Sequence, residues 1–449
     1  MNTYNLTKGS ILKNLIQFSL PYLLSCFLQT FYGLADLFIT GRFNGAATIT
    51  AVSVGSQVTH MLTVIIVGLA MGATVSISRS VGEKKKNQVV KIIGNTVILF
   101  SIFAVLLTFI LIFNVNGILT LLSVPKTAFL ETKNYVTICF IGIIFITAYN
   151  VLSSIYRGLG DTKHPMYFVM ISGIINIALD YLFIGPMGMK ASGAALATVI
   201  AQAISVILAL LYMPKTINFS FTPSAFRLDQ RIVKQILRIG IPIGAQDGLI
   251  QISFLIITTI ANRRGVDIAA AVGIVEKIIG FLFLVPSAML SAVSTICAQN
   301  IGAKQYDRST KTLFTAMKIS VGFGIFFTVI CQFCGNSILP LFTKNNPAVI
   351  YYGVQYLRIY VFDCIFAGVH FCFSGYFCAC EKPFISFIHN IASIALIRIP
   401  VAYFGSVLWP ETMYPMGLAS PLGSALSVVI CIVAYKIIHK KMKLSIAET

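Results

Sequence analysis

Long apolar runs separated by short polar joints dominate the chain, and run length predicts its elements. Twelve runs stand out, at approximately 15–40, 48–78, 90–114, 133–158, 165–185, 193–213, 236–261, 267–298, 310–341, 351–379, 384–408 and 422–438. A helix needs about 20 mainly apolar residues to cross a bilayer. The pattern therefore predicts an all-α integral membrane protein with twelve transmembrane helices. The longest joint, 214–235, contains KTINFSFTPSAFRLDQR and falls at the midpoint. It predicts an N-terminal six-helix bundle over 1–213, a linker over 214–235 and a C-terminal six-helix bundle over 236–449.

Composition narrows the class. The 449 residues are 57% hydrophobic and 10% charged, with a mean hydropathy of +0.88, whereas a soluble domain is about 25% charged. The net charge of +19 would fit a nucleic-acid binder, but its distribution does not. With the N-terminus inside, the outer joints and adjacent helix ends carry only Arg42, Lys126, Lys133, Lys190, Arg263, Arg264 and Lys344. Lys277, Arg358 and Arg398 lie within spans, and the rest of the 33 Lys and Arg face inward. This asymmetry predicts both termini in the cytoplasm, with basic joints such as Lys84–Lys86 against anionic headgroups. The expected location is the cell (inner) membrane. The polar N-terminus MNTYNLTKGS and the long first run predict no cleavable signal. Cys331/Cys334 and Cys378/Cys380 sit in helical apolar runs and read as small core residues.

Against this apolar background, acids inside spans stand out, because a carboxylate at membrane depth is costly and faces a protein interior or a wet cavity. Asp36 is the one acid, and the one charged side chain at neutral pH, in QFSLPYLLSCFLQTFYGLADLFIT, and Asp180 sits in IINIALDYLFI. At 1.5 Å per residue, Asp180 lies about 21 Å above the inner end of its helix, and Asp36 at a similar height. Asn176 precedes Asp180 by one turn, and Gln29 precedes Asp36 by two. Tyr135 and Thr198 enter from the outer ends of helices four and six. Six polar side chains from four helices are thus expected at one depth. Asp36, Asp180, Asn176 and Thr198 would suit ion coupling through a proton or, as hard oxygen ligands, Na⁺, with Gln29 and Tyr135 in support. Pro21 removes a helix hydrogen bond and predicts a kink in helix one. Asp363 and Arg398 are candidates for a cavity. Asp247, His370 and His389 are expected to be hydrogen-bonded groups within helices.

The two halves repeat weakly. AVSVGSQVTHML…SISRSVGEKKKNQ at 51–88 aligns without gaps to AVGIVEKIIGFL…TICAQNIGAKQYDR at 271–308, Pro21 matches Pro242, and PMGMKASGAALA matches PMGLASPLGSALS with one insertion. Six spans per half make the repeat parallel, about an axis along the membrane normal, as in transporters. Asp36 then corresponds to Ile257 and Asp180 to Arg398, so ion chemistry is expected in the first half.

LPYLLSCFLQTFYGLADLFITGRF, GLAMGATVSISRSVGEKKK, YRGLGDTKHP, NIALDYLFI, GAALATVIAQ, AQNIGAKQYDR and IRIPVAY together resemble the MATE (multidrug and toxic compound extrusion) transporters over nearly the whole chain. The resemblance implies two six-helix bundles in a V. It implies export of amphipathic, often cationic, drugs or metabolites in exchange for H⁺ or Na⁺ by alternating access. It also implies a non-enzymatic protein with no cofactor, working as a monomer among membrane lipids on a small-molecule substrate. In the branch with acids on helices one and five, the polar cluster falls on Gln29, Asp36, Tyr135, Asn176, Asp180 and Thr198, and the kink proline on Pro21. Glu381, in YFCACEKP, departs from the family's usual glycine. Competing readings are weaker. A flippase for a lipid-linked saccharide needs more inward bases, and a membrane transferase needs Asp-rich or His motifs. A channel or scaffold leaves the repeat and the buried acids without a role.

Overall fold

In the computed structural model, which describes residues 5–216, 226–343 and 346–447, no strand occurs among the described residues. In the first half, α1 (Ile11–Phe43), α2 (Ala46–Gly82) and α3 (Lys86–Phe113) precede a short α4 (Val115–Leu121). They are followed by α5 (Lys126–Ile141), α6 (Ile143–Gly158), α7 (Lys163–Ile184) and α8 (Lys190–Thr216). The second half runs through α9 (Gln230–Asn262), α10 (Val266–Gly302), α11 (Tyr306–Ile338), α12 (Pro347–Tyr360) and α13 (Asp363–Ala379). It closes with α14 (Pro383–Ser393), α15 (Ile399–Leu408), α16 (Tyr414–Gly417) and α17 (Ala419–Ala447). Among the described residues ten helices are long and apolar enough to cross a membrane, and the bent pairs α5–α6 and α12–α13, each counted as one span, bring the total to twelve. The helical architecture and the span count agree with the run lengths. Of the expected linker, residues 217–225 lie outside the described residues, as does Lys344.

Three spans differ from the straight rods that run length implies. The fourth bends by 48° between α5 and α6 at Gly142, and the tenth by 41° between α12 and α13. Glycine is a poor helix former, so the fourth helix yields there. The eleventh passes through one π turn, Ile394–Arg398, just before Pro400. Pro400 has no N–H for the carbonyl four residues back, and a wider turn accommodates the misfit. α12 starts where Asn346 Oδ1 accepts from the N–H groups of Ala348 (3.1 Å) and Val349 (3.3 Å), an N-cap followed by proline.

The chain forms two compact units, one containing Leu20–Gly244, the other Thr7–Ser19 and the chain from Ala245 onward. α1 changes unit immediately before Pro21, and α9 shortly after Pro242. α1 remains helical through Pro21, and Ser25 Oγ donates to the Pro21 carbonyl at 3.0 Å. The first unit buries two apolar clusters. One is built on Ile77, Ile92, Tyr156, Phe168 and Ala209, the other on Val52, Tyr135, Phe140, Ile143 and Ala194. The start of α9 seals the first cluster with Ile232 and Ile236. It approaches α2 so closely that a Cβ on Gly72 would lie 2.0 Å from the Ile236 carbonyl oxygen, the small-residue contact that lets helices meet within a bilayer. The second unit centres on Val272, Ile279, Tyr356, Leu357, Tyr360 and Met416, with Ile257 at the position corresponding to Asp36.

Candidate functional site

α1 carries two faces. Leu20, Leu24, Phe27, Phe31, Leu34 and Phe38, spaced three and four apart, are exposed and apolar. The opposite face bears Tyr22, Cys26, Gln29, Tyr32 and Asp36 at the same spacing, so the helix turns its polar side inward. Asp36 is 5% exposed and Asp180, on α7, is fully buried. Their carboxyl groups lie within hydrogen-bond reach of each other. Among the described residues, neither Asp180 oxygen nor Oδ1 of Asp36 has a donor, and no basic side chain pairs with either acid. Two carboxylates this close repel strongly in a dry interior, unless a proton or a cation joins them.

Thr198 of α8 lies beside the Asp36 carboxyl. Tyr135 of α5 is 2% exposed and within electrostatic reach of both acids. Its ring is seated on α2 at Gly55, where a Cβ would come within 2.2 Å of Tyr135 Cδ1. Asp36, Asp180, Thr198 and Tyr135 therefore converge from four helices. Asn176 is one turn below Asp180 and 1% exposed, with both ends of its amide unpartnered. Gln29 is half-buried on the polar face of α1, two turns before Asp36. Two groups that sequence reasoning missed adjoin the cluster. Tyr32, one turn below Asp36, accepts from Gln202 Nε2 at 3.4 Å, and Cys139 neighbours Tyr135. The oxygen donors of this cluster suit a proton or a hard monovalent cation.

The second unit holds a different constellation. Arg398, set by the π turn, donates through Nε to Ser420 Oγ and through Nη2 to Tyr360 OH, both at 3.0 Å. It lies 3.8 Å from Asp363 Oδ2 and stacks 4.9 Å from the Phe254 ring. Glu276 accepts from Thr258 Oγ1 at 3.2 Å and faces Arg398 electrostatically. Glu276 escapes the sequence reading, although the same signal, an acid inside an apolar span, marks it. His389 Nε2 meets Ser374 Oγ at 2.9 Å, with the His370 ring 5.5 Å away, and Gln246 Nε2 donates to Asp247 at 3.4 Å. The cysteines are free thiols. Cys331 and Cys378 are buried as expected for core residues, whereas Cys380 is half-buried and Cys334 is exposed.

The MatE family model matches residues 21–182 and again 242–404. The chain belongs to the MatE family. Both matches begin at a proline, Pro21 and Pro242, which makes the repeat explicit. This MatE chain is 27% identical over 402 residues to a probable multidrug resistance protein, YpnP, of Bacillus subtilis, covering 89% of each. It is 23% identical over 464 residues to an FAD transporter of Shewanella oneidensis, covering 99% of each. Its fold matches the crystal structure of MATE in the straight conformation with a TM-score of 0.90 at 20% identity, over 100% of this chain and 99% of the other. Family membership makes the chain a multi-pass membrane transporter of small molecules, not an enzyme.

Proposed function

We propose that this MatE transporter exports amphipathic, often cationic, drugs or metabolites across the cell membrane in exchange for inward-moving H⁺ or Na⁺. The ion binds at Asp36 and Asp180, with Thr198 and Asn176 as further ligands and Tyr135 and Gln29 in support. Transport proceeds by alternating access in a monomer with both termini in the cytoplasm. The observation that carries this reading is the pair itself: two buried carboxyls facing each other, with no base paired to either among the described residues. Such a pair has a net charge that changes when an ion arrives or leaves, and a charge buried among apolar helices drives rearrangement. Relatives named as multidrug resistance proteins supply the cargo class.

Dye efflux from proteoliposomes, driven separately by a pH gradient and by a Na⁺ gradient, tests the reading. At least one gradient is expected to drive efflux, and Asp180→Asn to abolish it while the protein still inserts. Undiminished ion-driven efflux in Asp180→Asn would make the acid structural. The Shewanella FAD transporter makes a flavin nucleotide the second cargo to test in the same vesicles.

A further inference from the structure

Polar residues continue inward from the acid pair. α7 carries Ser172, Asn176 and Asp180 four apart, α8 carries Thr198, Gln202 and Ser205, and α6 carries Tyr149, Ser153 and Arg157, each set on one helical face. With the polar face of α1 these form a line within the first unit. Tyr32 is near both Asp36 and Tyr149. Tyr149 in turn lies beside Ser153 and within reach of Arg157 and Cys26. Along this line the amide of Asn176, Oε1 of Gln202 and Oγ of Ser205 are buried without a hydrogen-bond partner. Interiors keep few such atoms, because a desolvated donor or acceptor with nothing to bond is costly. A row of them beside an ionisable pair is what a passage for a hydrated ion or a proton requires.

The line ends at a charge. Arg157 is 5% exposed, close to the end of α6 that the proposed orientation places in the cytoplasm. Its Nη2 donates to Ser154 Oγ at 2.6 Å, its Nε is unpartnered, and no carboxylate pairs with it among the described residues. Its guanidinium lies 5.1 Å from the centre of the Tyr22 ring. A fixed positive charge in a narrow passage is a barrier to protons and cations alike. Tyr22 directly follows Pro21, where α1 lacks a backbone hydrogen bond.

We propose that this line is the inward leg of the ion path, and that Arg157 stacked on Tyr22 is the plug at its cytoplasmic end. The inference rests on the acid pair being the ion site. A bend of α1 at Pro21 lifts Tyr22 from Arg157 and opens the leg only when the transporter has changed state. The plug thereby prevents ions from crossing without cargo.

The test uses the full chain in proteoliposomes loaded with a pH-sensitive dye, with the membrane potential clamped and no substrate present. Parallel vesicles monitor ²²Na⁺ entry. Arg157→Gln is expected to raise substrate-independent ion entry roughly tenfold or more, the scale on which charge in a cleft alters local cation concentration. Tyr22→Leu should act in the same direction, and Arg157→Gln combined with Asp180→Asn should return entry to background. A correctly inserted Arg157→Gln without leak overturns the proposal, as does a leak that survives Asp180→Asn. If Arg157→Gln fails to fold, Tyr22→Leu and Arg157→Lys, which keeps the charge but loses the planar stack, decide the matter: no leak in Tyr22→Leu overturns the plug. Undiminished ion-driven efflux in Asp180→Asn alone would fell the underlying ion-site reading. Loss of efflux there, with no leak in the Arg157 and Tyr22 variants, would fell only the plug.

Discussion

If Asp36 and Asp180 hold one ion between them, their contributions cannot be independent. The carboxyls are buried and within hydrogen-bond reach of each other. At about 4 Å and an effective dielectric of about 20, a unit charge pair interacts by about 4 kcal/mol. Each carboxylate therefore contributes roughly a thousandfold to the affinity for a shared cation, at 1.4 kcal/mol per decade. Two residues with separate tasks would lose transport independently, and the double variant would fall by the product of the two single losses. A shared site behaves otherwise. Asp36→Asn or Asp180→Asn alone removes the ion by leaving one carboxyl with an amide for company, and the second substitution has little left to remove. The expected result is a near-complete loss of ion-driven efflux in each single variant. The double should fall less than about tenfold further, the non-additivity of residues acting as one unit. The assay is a double-mutant cycle on dye efflux in proteoliposomes, with ion binding measured separately by calorimetry. Multiplicative losses would refute the shared site and assign the acids different tasks, one for the ion and one for a cationic substrate.

Further outcomes follow from particular contacts. Pro21→Ala restores a helix hydrogen bond without touching a ligand of the pair; it should leave ion binding intact but slow transport, and weakened ion binding would contradict this. Gly55→Ala forces a methyl into the Tyr135 ring. It should destabilise the protein by about 1–3 kcal/mol and impair transport, and an unchanged Tm with normal efflux would show that the ring moves freely. Arg398→Gln leaves Asp363 buried without its base and should cost about 3–5 kcal/mol. Adding Asp363→Asn should recover much of that loss in a thermal melt, and no recovery would mean that Arg398 acts mainly through Tyr360 and Ser420.

Much of the architecture was legible in the sequence, because lipid offers backbone groups no partners: a run of 20 or more apolar residues there must close its hydrogen bonds as a helix. Asp36 and Asp180 stood out for the same reason, as charges whose burial needs an explanation. Helical spacing also placed Asn176 below Asp180 and Gln29 below Asp36. Spacing fixes which face a residue shares with its neighbours on one helix, but not how that helix is rotated toward the others. Only the packed structure set Asp36 against Asp180 and brought Thr198 and Tyr135 to them. The bend between Tyr360 and Asp363, with no glycine or proline at the break to mark it, and the meeting of Arg398 with Tyr360 and Ser420 likewise depend on which neighbours the backbone meets. Arg157 shows the limit most plainly. In sequence it is a base at a helix end, the usual place for a solvated charge, and tertiary packing alone buries it against Tyr22, more than a hundred residues away, because α1 and α6 share the interior of one unit.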